Sequence, residues 1–186
     1  MSIRILGFVG SLRDGSYNRQ LAEAAVLHAP VGIDIDLYTG LAEVPFYNED
    51  LDTEARVPAA ATKLREAATR ADAFLLFTPE YNGTMPAVLK NAIDWLSRPY
   101  GTSAITGKPV AVIGTAYGQY GGVWAHTEAR KAAGIAGGAV LEDVTLSIGH
   151  SVTRFADTHP ADDAEIVTGL TAVLERLAAS PAPLSA

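Results

Sequence analysis

The chain has 186 residues, of which 48% are hydrophobic, so it is long and apolar enough to form one domain with a substantial core. Its 14 basic and 21 acidic residues give a formal net charge of −7, which argues against a protein that coats nucleic acid or an anionic membrane. The sequence contains no cysteine, which excludes disulfides, thiolate metal sites and thiol catalysis. Its 4 histidines are scattered without an H-x-x-x-H pair, so we expect no metal site.

The amino-terminal residues lead directly into a strand-like run, without the charged, apolar and small-residue parts of a secretory leader. No segment approaches the roughly 18 uninterrupted apolar residues of a membrane span. We therefore expect a soluble cytoplasmic protein that does not bind a membrane.

Apolar runs and helical repeats alternate along the chain. Strands are predicted over residues 3–9, 33–37, 73–77, 110–115 and 139–144. Helices are predicted over residues 18–28, 57–71, 85–98, 123–133 and 160–179. We expect Thr84 to cap the third helix and Gly134 to end the fourth. The first turn of the last helix should contain acidic residues, namely Asp162, Asp163 and Glu165. Residues 180–186 are predicted to be a frayed tail.

This alternation predicts an α/β fold in which a parallel sheet has helices on both faces. With right-handed crossovers, the simplest order of the five strands is the flavodoxin-like order 2-1-3-4-5. Residues 1–179 would then form a single three-layer domain. The loops after the first and third strands, residues 10–16 and 79–83, would face each other across the crevice where such sheets bind ligands.

The first of these loops has a composition that suits a phosphate group. Residues 10–18 read GSLRDGSYN and combine hydroxyl and amide side chains with the fixed charge of Arg13, just before a helix start that carries about +0.5 elementary charge. The glycine spacing matches neither the dinucleotide motif G-x-G-x-x-G nor the P-loop. The alternative is an ordinary loop whose serine caps the helix.

The second loop, residues 79–83, reads PEYNG and suits a planar ligand stacked beside Tyr81 and hydrogen-bonded by Asn82 and loop amides. The alternative is that Glu80 is solvated and that Tyr81 is an aromatic residue at the edge of the core. Each loop alone predicts little, but two such loops that meet at one crevice favour a binding site.

Residues 10–18 and residues 79–99, which read PEYNGTMPAVLKNAIDWLSRP, closely resemble the NADPH-dependent FMN reductase family, which includes quinone, chromate and azo reductases. The resemblance extends from residue 1 to about residue 133 and implies a flavodoxin-like fold, bound FMN and a homodimer or homotetramer. It implies that the FMN phosphate is held by Ser11, Arg13, Ser16, Tyr17 and Asn18. It implies that the ribityl chain and the isoalloxazine ring are lined by Pro79, Glu80, Tyr81, Asn82 and Gly83. It implies that a third loop completes the ring edge through Thr115, Ala116 and Gly118.

The reaction that the resemblance implies is carried by the cofactor. NADPH, or NADH, would pass a hydride to flavin N5, and a small-molecule electron acceptor such as a quinone or free flavin would then take its place, with ping-pong kinetics. We therefore nominate no side chain as a catalytic acid or base. Two alternatives remain, namely a flavodoxin-type electron carrier that does not oxidise NAD(P)H and a binding module that has lost the flavin.

The third loop, residues 116–122, departs from the family pattern because it reads AYGQYGG. Tyr117 or Tyr120 could narrow the site over the flavin, and the alternative is that both pack on the protein surface. Further along, Arg130 resembles a family arginine associated with oligomer contacts, although a solvated helix arginine is the simpler interpretation.

The helix over residues 85–98 has a second apolar ridge, because Val88 and Trp95 lie beside the stripe formed by Met85, Leu89 and Ile93. A tryptophan at such a place is typical of an interface. We therefore predict a homo-oligomer that forms through this helix. The alternative is that the loop over residues 38–53 covers Trp95 within one chain.

Overall fold

The computed structural model describes residues 2–180, so most of the predicted tail, residues 181–186, lies outside the described part. Within residues 2–180, five strands form one parallel sheet of order β2-β1-β3-β4-β5, which confirms the predicted order. The strands are β1 (Ile3–Val9), β2 (Ile33–Tyr38), β3 (Ala73–Phe77), β4 (Pro109–Thr115) and β5 (Ala139–Ile148).

Helices connect the strands and cover both faces of the sheet. They are α1 (Tyr17–Leu27), α2 (Ala59–Arg70), α3 (Ala87–Leu96), α4 (Val123–Ile135), α5 (Ser151–Arg154) and α6 (Ala164–Ala178). Short 3-10 turns occur at Leu41–Glu43, Glu49–Leu51 and Pro160–Asp162. Among residues 2–180, none of the helices has both the length and the apolar character needed to cross a membrane.

The central strand β3 explains why its sequence is an unbroken apolar run. Phe74 and Leu76 pack into a core layer with α2, α3 and α4. Leu75 and Phe77 point to the other face and pack with α1 and α6. Because successive side chains of a strand alternate between faces, a strand covered on both faces is apolar at every position. The two core layers therefore cover both faces of the sheet beneath its carboxyl edge.

Several predicted helix ends are wrong. Thr84 does not cap α3, because its backbone is bonded to Tyr81 in both directions and Pro86 occupies the N-cap position. Helix α4 continues through Gly134 to Ile135, and the glycine with a left-handed φ of +105° is Gly137. The sequence offers glycine at 134, 137 and 138, and only the packing selects where the turn forms.

The last helix begins later than predicted. Asp163 is the N-cap of α6 and accepts hydrogen bonds from the amides of Glu165 and Ile166, whereas Asp162 lies in the preceding 3-10 turn. Strand β5 is also longer than predicted, and the short helix α5 was missed. One face of α6 is apolar and buried against the sheet, and it is formed by Ile166, Leu170, Val173, Leu174 and Leu177.

Trp95 contradicts the reason given for an interface. Its side chain is fully buried, its indole N–H donates to the Pro45 carbonyl at 2.7 Å, and its ring lies 5.0 Å from that of Tyr47. The loop over residues 38–53 therefore covers it within the same chain. Ionic bonds hold this loop in place, because the Asp52 carboxylate accepts from Arg65 at 2.7 Å and from Arg98 at 3.1 Å.

These ionic bonds also decide the protonation of Asp52. Burial alone would raise the pKa of this carboxyl, but the hydrogen bonds from Arg65 and Arg98 outweigh burial, and the pKa is lowered. The carboxylate therefore stays charged and keeps the loop closed over Trp95.

Arg130 is bonded to the sheet and is not simply a solvated helix arginine. Its Nη2 donates to the carbonyls of Val112 in β4 at 3.0 Å and Val144 in β5 at 3.3 Å. The pairing of these two strands shifts register between Val110 and Val112. The guanidinium therefore bonds to a carbonyl of each strand close to this irregularity.

Candidate functional site

The loops that follow β1 and β3 meet at the carboxyl edge of the sheet, as predicted. The Tyr81 hydroxyl donates to Ser11 Oγ at 3.4 Å, and the amide of Gly10 donates to the Phe77 carbonyl at 2.8 Å. Residues 70 positions apart in the sequence are thus in contact across the crevice. The loop after β4 lies at the same edge and forms the third wall.

The first loop presents a positive group at the start of α1. Ser16 is the N-cap and accepts from the Arg19 amide at 3.4 Å, while Gly15 has a φ of +66° that favours glycine. The Arg13 side chain is exposed, with its guanidinium 5.9 Å from the Tyr17 ring. Among residues 2–180 it donates only to the neighbouring Asp14 carbonyl, at 3.1 Å, and its side chain is exposed.

Asn18 lies beneath this loop and is not open to the crevice. Its Nδ2 donates to the Thr115 carbonyl at 2.8 Å, and its Oδ1 accepts from the Thr115 amide at 3.0 Å. The side chain is 4% exposed. Thr115 is buried too, and its hydroxyl donates to the Ile148 carbonyl at 2.8 Å. These two predicted site residues join α1, β4 and β5, so they support the crevice from below.

The second loop is a tight turn that places polar groups at the rim. Tyr81 and Thr84 exchange backbone hydrogen bonds of 2.9 and 3.1 Å, and Asn82 and Gly83 between them have φ values of +53° and +78°. Pro79 is buried, whereas Asn82 and Gly83 are exposed and Tyr81 is 48% exposed. A ring face of Tyr81 and the Asn82 amide are thus available to a ligand.

The Glu80 carboxylate is bonded to the start of α4. Its Oε2 accepts from the backbone amides of Trp124 at 3.2 Å and Ala125 at 3.3 Å. These amides belong to the first turn of α4, whose N-cap is Gly122. The alternative that Glu80 is merely solvated is therefore wrong.

The third loop is held by its backbone. The Ala116 amide donates to the Ile148 carbonyl at 3.1 Å, and the Ala116 carbonyl accepts from the Ser151 amide at 3.1 Å. The Gly118 carbonyl accepts from Gly121 at 3.2 Å and from His150 at 3.3 Å. A hollow of about 330 Å³ lies beside this loop, against the start of α5.

The tyrosines of this loop project from the protein. Tyr117 is 80% exposed and Tyr120 is 60% exposed. The Tyr120 ring lies 6.0 Å from that of Trp124, and Tyr117 lines the hollow together with His150. Within the described part of the chain, neither side chain is packed into the core or hydrogen-bonded to the first two loops.

Sequence reasoning missed His126, in the first turns of α4. The side chain is fully buried, and its Nδ1 lies 2.8 Å from Ser147 Oγ. Its Nε2 faces the backbone of Thr78 but has no hydrogen bond of ordinary geometry among residues 2–180. Burial, and then the nearby Arg130, lowers the pKa of His126 to about 4, so the imidazole is neutral at pH 7. A lone histidine on a helix has no sequence pattern that would reveal this.

A separate apolar groove of about 630 Å³ lies between α3 and α4. Met85 and Ile93 form part of it, and the exposed side chains of Tyr100 and Ile135 stand at its edge. Lys90, Asp94 and Lys131 add charge to the rim. The groove shares no lining residue with the three loops, so it is a different surface.

Comparison with known proteins gives consistent results. Residues 3–153 match the family model of NADPH-dependent FMN reductase. The chain is 38% identical over 154 residues to a 2-hydroxy-1,4-benzoquinone reductase of a Burkholderia species, covering 83% of this chain and 82% of that protein. It is 39% identical over 155 residues to a quinone reductase of Pseudomonas putida, with the same coverage.

A solved structure is also similar over nearly the full length. This is FerB, a flavoenzyme NAD(P)H:(acceptor) oxidoreductase of Paracoccus denitrificans, with a TM-score of 0.83 at 30% identity, covering 94% of both chains.

Proposed function

The chain belongs to the NADPH-dependent FMN reductase family, and from this premise we propose that it takes a hydride from NAD(P)H onto FMN and passes electrons to a quinone, free flavin or similar small oxidant. The observation that carries the proposal is the contact between Tyr81 and Ser11. It joins two loops of complementary character, one with an exposed cation at a helix start and one with an exposed aromatic ring.

The residues at the crevice fit FMN. Arg13 offers a guanidinium with unused donors, which suits a phosphate. Ser16 caps α1 through the Arg19 amide, and the preceding amides of Tyr17 and Asn18 have no intrahelical acceptor, so they can also donate to an anion. Tyr81, Asn82 and Gly83 would line the ribityl chain and the ring.

Other predicted ligands would act indirectly. Asn18 and Thr115 are bonded to each other and buried, so we assign them to holding α1 against β4. Glu80 is bonded to α4. Ala116 and Gly118 are fixed by backbone bonds and would bound the ring edge. Ser11 is buried and would face the cofactor through the hydroxyl that it shares with Tyr81.

FMN supplies the redox chemistry when bound, since it can accept a hydride and release electrons to an acceptor. The protein binds the cofactor, orients it and shapes the space beside it. No side chain of the three loops is assigned a proton transfer. The buried imidazole of His126 is neutral at pH 7 because burial lowers its pKa to about 4, so it adds no positive charge near the crevice.

An absorbance titration of the purified protein tests this function. We expect a yellow protein whose flavin bands bleach on addition of NADPH and recover on addition of a quinone. A yellow protein that does not react with NADPH or NADH would indicate an electron carrier. A colourless protein that takes up no FMN would indicate a binding module and would contradict the proposal.

We further propose that residues 1–179 act as one FMN-binding domain and that the enzyme works in the cytoplasm, where NAD(P)H is at hand as reductant. The two core layers share one sheet, which supports a single domain. We expect limited proteolysis to release no smaller stable fragment, and cell fractionation to find the activity with the cytoplasmic proteins.

A homo-oligomer, dimer or tetramer, is also proposed, now through the groove between α3 and α4 rather than through Trp95. The support is the apolar lining together with the exposure of Tyr100 and Ile135, since exposed apolar patches are typical of protein interfaces. Light scattering at micromolar concentration should give a mass of two or four chains. A mass equal to one chain would contradict an oligomer.

A further inference from the structure

Helix α4 begins without a cap of its own. The first amides of a helix have no intrahelical acceptor, and a side chain at the N-cap ordinarily supplies one. Here the N-cap is Gly122, with a φ of +89° and no side chain. The acceptor comes instead from the loop after β3, because Glu80 Oε2 accepts from Trp124 and Ala125.

The carboxylate occupies the place of the missing cap. A Cβ built on Gly122 would lie 3.7 Å from the Cβ of Glu80, so the two residues are packed side by side. A negative group at a helix start is stabilised by the helix dipole and by charge-assisted hydrogen bonds. Glu80 is only partly exposed, which strengthens both effects relative to a fully solvated pair.

The position of α4 in turn fixes the third loop, residues 116–122, which runs directly into it. The start of this loop is bonded to β5 through Ala116 and Ile148. Its end is fixed by the first turns of α4, where Glu80 caps the helix and His126 contacts Ser147 of β5. A carboxylate from the second loop thus sets the spacing between the second and third loops.

We propose that Glu80 is a positioning residue: by capping α4 it holds the third loop, and with it the place of the electron acceptor, and it is not itself a ligand of the flavin. The part that concerns the acceptor rests on the proposed function. The part that concerns α4 does not, since it follows from the hydrogen bonds alone.

Amide hydrogen exchange of the full chain without added cofactor tests the cap. In Glu80→Ala the amides of Trp124 and Ala125 should exchange about fivefold faster or more, while the amides of α1 keep the wild-type rate. Glu80→Gln keeps an acceptor oxygen but loses the charge. Its exchange rates at these two amides should therefore lie between those of wild type and of Glu80→Ala. Glu128→Gln is the matched control, since it removes a carboxylate from the exposed side of the same helix and should change neither amide. Unchanged exchange in Glu80→Ala would overturn the cap.

Ligand measurements on the same variants test the functional consequence. The FMN dissociation constant of Glu80→Gln should stay within about twofold of wild type, whereas the KM for a quinone should rise several-fold with a smaller change in kcat. A loss of FMN affinity of about tenfold with an unchanged KM would make Glu80 a flavin ligand and overturn the proposal. If the wild-type protein itself takes up no FMN, the proposed function fails, while the exchange result still decides whether Glu80 caps α4.

Discussion

The loops that follow β1 and β4 lie at the same edge of the sheet but are held in different ways. At the first loop, polar side chains add to the backbone bond of Gly10, since Ser16 caps α1 and Asn18, in the first turn of α1, pairs with the backbone of Thr115. In the third loop the backbone makes the bonds, at Ala116 and Gly118, and the tyrosine side chains remain exposed.

This difference separates the residues that build the site from the residues that can vary its use. A loop held by buried side chains depends on the identity of those residues, so their substitution should disturb the fold. A loop held by backbone bonds can change its exposed side chains without loss of structure. We therefore expect substitutions in the first loop to act on stability or cofactor binding, and substitutions in the third to act on the second substrate.

Asn18→Ala should cause the largest loss of stability among these variants. It leaves the buried amide and carbonyl of Thr115 without partners, and each unpaired buried group costs about 1–3 kcal/mol. We expect the free energy of unfolding, measured by urea denaturation, to fall by roughly 2–5 kcal/mol. Asn48→Ala removes a comparable bond to Asp50 at an exposed place and should cost about 1 kcal/mol or less. Equal losses in the two variants would contradict the buried role of Asn18.

The next largest expected effect is a pH dependence of the free energy of unfolding, which His126 in α4 causes. The folded pKa of His126 is about 4, below its ordinary value of 6.5, so the neutral imidazole contributes stability that is complete above pH 6.5. That stability is lost as the pH falls towards 4, because the unfolded chain takes up the proton first, and the total amounts to roughly 3 kcal/mol. Between pH 7 and pH 4, the free energy of unfolding, measured by urea denaturation, should therefore fall less steeply with pH for His126→Gln than for wild type. An equal pH dependence in the two proteins would contradict the lowered pKa of His126.

Arg13→Ala should separate cofactor binding from folding. The side chain is exposed and makes one bond to a neighbouring carbonyl, so the free energy of unfolding should change by less than about 0.5 kcal/mol. A charge-assisted bond to a phosphate contributes about 1.5–3 kcal/mol, so FMN affinity should fall by roughly tenfold or more. Arg19→Ala, in the first turn of α1, is the control and should keep wild-type affinity in a fluorescence titration. An unchanged affinity in Arg13→Ala would remove this residue from the site.

Tyr117→Ala should give the smallest effect and test the third loop directly. Because Tyr117 is 80% exposed and its loop is held by backbone bonds, neither stability nor FMN affinity should change measurably. The KM for a quinone should shift by a few-fold, about 1 kcal/mol or less. A destabilised protein would show instead that this side chain holds the loop.

Sequence patterns predicted most of the fold because two-sided burial leaves a clear mark. β1 and β3 agree with their predicted bounds, since every position of β3 is apolar and Thr78-Pro79 ends the run. The strand order followed from the alternation of elements and the handedness of crossovers. The meeting of the first two loops followed from that order alone.

The features that the sequence could not predict are contacts between side chains and loops that are far apart in the sequence. Trp95 at a helix surface suggests an interface until the loop through Pro45 and Tyr47 is placed over it. The bond between Glu80 and the amides of α4 is likewise visible only once the loop after β3 and the start of α4 are placed side by side. The glycine at the N-cap of α4 was the one available hint, because a helix start without a capping side chain requires an acceptor from elsewhere.

Amide hydrogen exchange of the full chain with and without saturating FMN shows directly where the flavin binds. We expect FMN to slow exchange in residues 11–18 and 79–83, and to a smaller extent in residues 115–118, and to leave the groove between α3 and α4 unchanged. Slower exchange in that groove, with no change in residues 11–18 and 79–83, would contradict a flavin site at the carboxyl edge of the sheet.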